Sequence, residues 1–105
     1  MTTFDDRKDA FEKKHAHDEE LAFKATARRN KLLGLWVAEQ IGLTGEAAET
    51  YARDVVAADF EEAGDADVIR KVQADLKAKN VDISEHRLAA KLAELLETAK
   101  QQLTA

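Results

Sequence analysis

No proline occurs anywhere in these 105 residues, and only four glycines do. A chain without proline lacks the strongest interruption of a helix, and glycine is the next strongest. Ala, Leu, Glu, Lys, Gln and Arg recur throughout, and all are good helix formers. The β-branched and aromatic residues that fit a pleated sheet are sparse. The expected fold is therefore all-α. The length suits one domain and is too short for two ordinary ones.

Hydrophobic spacing divides the chain into a sparse beginning and a dense remainder. In residues 1–17, MTTFDDRKDAFEKKHAH, the only large apolar residues besides Met1 are Phe4 and Phe11. They stand seven apart and so share one face of a helix. Thr3 can cap such a helix, and Asp5 and Asp6 fall in its first turn, where negative charge suits the helix dipole. Two aromatics bury too little to hold the segment firmly on a core, and an isolated helix of this length is marginal in water. Residues 1–17 are expected to be a mobile, partly helical arm that orders on binding, and residues 18–105 a four-helix bundle.

Within the bundle, Leu21, Ala25, Arg28, Leu32, Leu35 and Trp36 form the expected inward stripe of a helix from about Asp18 to Gln40. Gly34 lies inside it at a cost of about 1 kcal/mol against Ala, which points to close approach by a neighbouring helix. Gly42-Leu43-Thr44-Gly45 reads as a turn, with Thr44 capping a second helix that runs to about Glu62 and buries Ala48, Tyr51, Ala52, Val55, Val56 and Phe60. Gly64 closes it and Asp65 caps a third helix striped by Val68, Ile69, Val72 and Leu76. That helix ends near Asn80, a residue that tolerates the left-handed conformation. Ser84 caps the last helix, Ile83 can staple onto Leu88, and Leu92, Leu95, Leu96, Ala99 and Leu103 continue its apolar face. Short connections favour antiparallel neighbours.

The residues do not assemble a reaction centre. There is no Cys, so no thiol nucleophile, disulfide or thiolate metal site is available. The one Ser is a cap. His15 and His17 are two apart, about 200° around a helix at ~100° per residue, a poor arrangement for sharing a metal. They read as solvated histidines, with pH sensing as the sharper alternative; His86 reads as a surface residue. The acidic residues Asp59, Glu61, Glu62, Asp65 and Asp67 span a helix junction but lack the spacing of a calcium loop. Capping and solvation explain them, and Asp59, Glu62, Asp65 and Asp67 offer a candidate docking surface for a basic partner. Arg28, Arg29 and Lys31 form the one basic knot and are expected to pair partly with that acidic junction. With a net charge of −5, no nucleic-acid partner and no direct membrane contact are expected, and no apolar run is long enough for a membrane span. A binding protein, cytosolic or on the cytosolic face of something larger, is the expectation, and not an enzyme.

The runs HDEELAFKATARRNKLLGLWVAE (residues 17–39) and ADFEEAGDADVIRKV (residues 58–72), preceded by Phe4, Asp5, Arg7 and Phe11 in an F-D-x-R-x-x-x-F pattern, resemble the zeta subunit of alphaproteobacterial F-type ATP synthases. The resemblance implies a four-helix bundle with an inhibitory amino-terminal region. It implies partners in the alpha, beta and gamma subunits of the catalytic head, at the cytoplasmic face of the inner membrane. The implied act is insertion of the amino-terminal helix at a catalytic alpha/beta interface near gamma, which blocks rotation in the hydrolysis direction. A helix over residues 4–17 would be about 20 Å long at 1.5 Å per residue, with Phe4 and Phe11 as apolar anchors and Asp5, Asp6, Arg7 and Lys14 as polar contacts. Two other readings stand beside this one: a non-inhibitory helical interaction module, and a weak ATP or ADP sensor whose site no sequence pattern locates.

Overall fold

In a computed structural model the chain is an all-α four-helix bundle. The structure describes residues 3–59 and 65–104, with side chains from residue 19 onward. The helices are α1 (Thr3–Gln40), α2 (Gly45–Ala58), α3 (Ala66–Ala78) and α4 (Glu85–Thr104). The expected extension of the second helix to about Glu62, the burial of Phe60 and the stop at Gly64 fall on residues outside those described.

Two helix ends follow from local chemistry. After α1, Gly42 takes φ +85°; its N–H donates to the Glu39 carbonyl at 3.2 Å and the Leu43 N–H to the Ala38 carbonyl at 2.8 Å. After α3, Asn80 takes φ +60°; its N–H donates to the Lys77 carbonyl at 3.0 Å and the Val81 N–H to the Leu76 carbonyl at 2.9 Å. Both are Schellman ends, satisfying carbonyls the helix leaves orphaned. The residue after each left-handed position, Leu43 or Val81, packs on the core, which aims the chain back into the bundle. At the start of α4 the Ser84 hydroxyl accepts the Arg87 N–H at 3.1 Å, and Ile83 packs on the core that includes Leu88, as a cap and staple should.

Leu33, Val37, Val55, Val68, Val72, Leu76, Leu88 and Leu92 form the core. The stripe on α1 differs from the expected one. Leu33 and Val37 are fully buried, Leu32, Leu35 and Trp36 are half-buried, and Arg28 is exposed where Arg29 is inside. Apolar residues occupy 32, 33 and 35–38, nearly a full circuit of the helix, so periodicity cannot choose among them; three neighbouring helices do. Gly34 behaves as expected. A Cβ there would lie 2.6 Å from the Ala52 Cα and 3.3 Å from the Val55 Cβ, so α1 and α2 touch backbone to backbone.

α1 and α4 run antiparallel. Lys91 lies over the Trp36 ring at 5.2 Å, Arg28 donates to the Gln102 side chain at 3.1 Å, and Leu21 meets Leu103 and Thr104. At 1.5 Å per residue, α4 with 20 residues is about 30 Å long, whereas α1 with 38 residues is about 57 Å. α4 therefore ends level with Leu21, and the first half of α1 runs on past it. The longest dimension of the molecule, 65 Å against 26 and 21 Å, records that overhang.

Candidate functional surfaces

Phe4, Asp5, Asp6, Arg7, Phe11, Lys14, His15 and His17 all belong to the overhanging half of α1, and their side chains lie outside those described. What can be placed is the backbone that carries them: one helix, continuous from Thr3 through the bundle to Gln40. His86 is exposed on the first turn of α4. Among the described residues no three His, Asp or Glu come close enough to hold a metal ion, and no helix is long and apolar enough to cross a membrane.

Of the candidate docking residues at the acidic junction, Glu62 lies outside the described residues and the other three have different surroundings. Asp65 occupies the cap position of α3 but makes no side-chain cap bond. Its carboxylate instead accepts Arg29 Nη2 at 2.8 Å. The Arg29 Nε and Nη2 also donate to Asn30 Oδ1, at 3.0 and 2.8 Å. Arg29 and Asn30 are both buried, 6% and 0% exposed, so a planar guanidinium fork ties α1 to the start of α3. Asp67 is buried rather than solvated, 4% exposed, and its Oδ1 accepts the Val68 N–H at 2.9 Å. Asp59, at the end of α2, has its carboxyl pushed up by burial and then by the charge of Asp67; Asn30, Arg29 and, with the opposite sign, Asp65 act more weakly. The Asn30 Nδ2 makes no hydrogen bond of ordinary geometry, yet its dipole still favours charged Asp59. The sequence had placed the basic knot beside the acids but not the member that carries the tie; local pattern gives no sign that Arg29 rather than Arg28 faces inward.

A second polar tie joins α2 to α3. The Tyr51 hydroxyl donates to Asp75 Oδ2 at 2.7 Å, Lys71 pairs with the same oxygen at 2.9 Å, and the Lys71 ammonium sits 5.3 Å over the Tyr51 ring. Burial, then the bond to Asp75, pushes the Tyr51 hydroxyl far up, so it remains a donor. These groups are saturated by one another and hold the bundle rather than a reactant.

Two of the concave surfaces among the described residues bear on binding. Where α3 passes into α4, a groove of about 680 Å³ has Leu76, Val81 and Ile83 in its floor and Arg70, Gln73 and Lys77 at its edge. Among α1, α2 and α4, Phe23 stands 64% exposed, the large apolar side chain most open to solvent among those described, beside a groove of about 410 Å³. Neither pairs a nucleophile with a base.

Comparison with known proteins is consistent with a non-catalytic reading. The model of a family described as ATPase inhibitor subunit zeta matches residues 1–102. A chain solved by solution NMR is similar at 55% identity with a TM-score of 0.70, over 78% of this chain and 93% of that one. No individually curated protein matches.

Proposed function

Because the chain belongs to the ATPase inhibitor subunit zeta family, we propose that it restrains ATP hydrolysis by driving the overhanging half of α1 into a catalytic alpha/beta interface near gamma, blocking rotation in the hydrolysis direction. The family is regulatory and non-catalytic, and its partner is the catalytic head of the F-type ATP synthase. The observation that carries the inserted helix is the mismatch of lengths: α1 is 38 residues and α4 is 20. About 27 Å of helix, residues 3–20 at 1.5 Å each, reaches beyond the helices that cover the rest of α1. A helix so placed is free to bury Phe4 and Phe11 in another protein, with Asp5, Asp6, Arg7 and Lys14 as its polar contacts. The division at residues 17 and 18 then separates the inserted part from the bundle, whose breadth of more than 20 Å in both short directions stops further entry. His15 and His17 would sit at that mouth and give inhibition its pH dependence. Docked on the head, the chain is at the cytoplasmic face of the inner membrane.

The test is ATP hydrolysis by the cognate synthase with the full chain and with Phe4→Ala or Phe11→Ala. Aromatic anchors at an interface centre are worth about 2 kcal/mol each, so half-inhibition should need about 30-fold more of either variant, at unchanged melting temperature. Equal potency of both variants and the unaltered chain would remove the inserted helix from the mechanism. The nucleotide-sensing alternative has one observation in its favour, the groove edged by Arg70 and Lys77; amide shifts on ATP or ADP titration should saturate there if it holds.

A further inference from the structure

The Phe23 face is unlike the rest of the surface. Phe23 projects from α1 above Ala27, with Val56 of α2 and Leu103 of α4 beside it, and Lys24, Arg28 and Lys31 edge the same groove. Those three cations follow one another along one side of α1, at i, i+4 and i+7, in a chain whose net charge is −5. Their internal partners among the described residues are slight. Lys24 pairs with Glu20 at 3.0 Å, both more than half exposed, and Lys31 with Glu49 at 3.9 Å. Arg28 is bonded, among the described residues, to the neutral Gln102. Exposed pairs of this kind exchange readily for a better carboxylate. An aromatic ring at the centre of an apolar groove with cations around it is the composition of an interface core and rim.

We infer that this face is a second contact with the catalytic head, seated on an apolar patch rimmed by carboxylates beside the crevice that takes the overhang. The inference rests on the family's partner and on the insertion proposed above. Continuity selects this occupant over others. Phe23 lies on the same helix as the overhang, only a few residues past the level of Leu21 where α4 ends. A crevice that surrounds the overhang would meet this face at its mouth. The face also has a division of labour: Phe23 holds the complex, while the cations speed encounter and set its salt dependence.

The experiment uses the full chain and the purified catalytic head. Phe23→Ser should raise the concentration for half-inhibition about ten-fold, less than the loss of either aromatic anchor of the inserted helix. Arg28→Glu with Lys31→Glu should slow the onset of inhibition at low salt and reverse its dependence on salt, with melting temperatures within a few degrees of the unaltered chain. Half-inhibition within two-fold of the unaltered chain for both variants overturns the inference. So does an unchanged salt dependence in the charge-reversed chain. A photo-crosslinking residue at position 23 gives an independent readout: attachment to a head subunit is expected, and attachment to a second copy of the chain, to lipid in membrane-bound synthase, or to nothing overturns it. Failure of Phe4→Ala and Phe11→Ala to weaken inhibition, with attachment at position 23 retained, would discard the inserted helix and keep this contact.

Discussion

The two halves of α1 share one backbone but are held by different forces. From Leu21 to Gln40 the helix is wrapped by α2, α3 and α4, and it carries the backbone-to-backbone contact at Gly34 and, among the described residues, the buried cation Arg29. From Thr3 to Glu20 it extends past the end of α4. In the first region sequence is constrained by neighbours in the same chain, and side chains there are set by packing density and hydrogen-bond satisfaction. In the second the backbone leaves α4 behind, and under the function proposed above its residues answer to another protein.

The largest effect should come from forcing the two regions apart in stability. Gly34→Val puts three carbons where even a Cβ would lie 2.6 Å from the Ala52 Cα. α1 and α2 must separate, at a cost of about 3 kcal/mol, the upper range for overpacking. For a domain of this size that is a fall in melting temperature of more than about 10 °C, at 4–8 °C per kcal/mol. Ala10→Gly in the other half costs about 1 kcal/mol of local helix propensity and should leave the thermal midpoint where it was. Circular-dichroism melts of both variants decide the matter, and a comparable loss from Ala10→Gly would erase the distinction between the halves.

Sequence reading reached the features fixed by chemistry within a few residues. Asn80 and Gly42 end helices through left-handed backbone, Ser84 caps through its own hydroxyl, and Gly34, which close helix approach explains better than a hinge, does mark a close contact. It failed where partners lie far along the chain. Thr44 and Asp65 occupy the cap positions of α2 and α3, yet neither side chain caps, and the carboxylate of Asp65 is used by Arg29, 36 residues away. Asp67 reads locally as a solvated first-turn acid but is buried, because α3 turns that side against the bundle. The candidate binding residues of the overhang rest on spacing and family resemblance, and the contacts proposed for them are with another protein.

Arg29 tests the bundle side of the comparison more finely. Arg29→Ala removes the two donors to Asn30 Oδ1 and the partner of Asp65. Hydrogen bonds involving a charged group contribute about 1.5–3 kcal/mol. The exposed side of Asp65, 48% open, can rehydrate, whereas Asn30 cannot, so a loss of about 2 kcal/mol is expected. Because the damage is at the α1–α3 tie, amide exchange should accelerate first in residues 66–72 and only later in α4. Uniform acceleration across all four helices would mean that Arg29 fills space rather than tying those two elements.

The smallest effect has the opposite sign. Burial and the neighbouring Asp67 raise the Asp59 carboxyl above its ordinary value of 3.8, so the folded state binds that proton more tightly than the unfolded chain does. With a raised acid the sign is set: the proton's contribution to stability is fully present below the unfolded value and is lost as pH rises through the folded one. At neutral pH the charged carboxylate is therefore a small burden on the bundle. Asp59→Asn removes it, and the variant should melt slightly higher than the parent at pH 7, with the gain shrinking as pH falls towards 4 and both forms become neutral at this position. A gain independent of pH would assign the effect to the amide's own hydrogen bonds. A loss at pH 7 would show that the attraction of Arg29 outweighs burial and Asp67, and that the junction needs three charges on its acidic side.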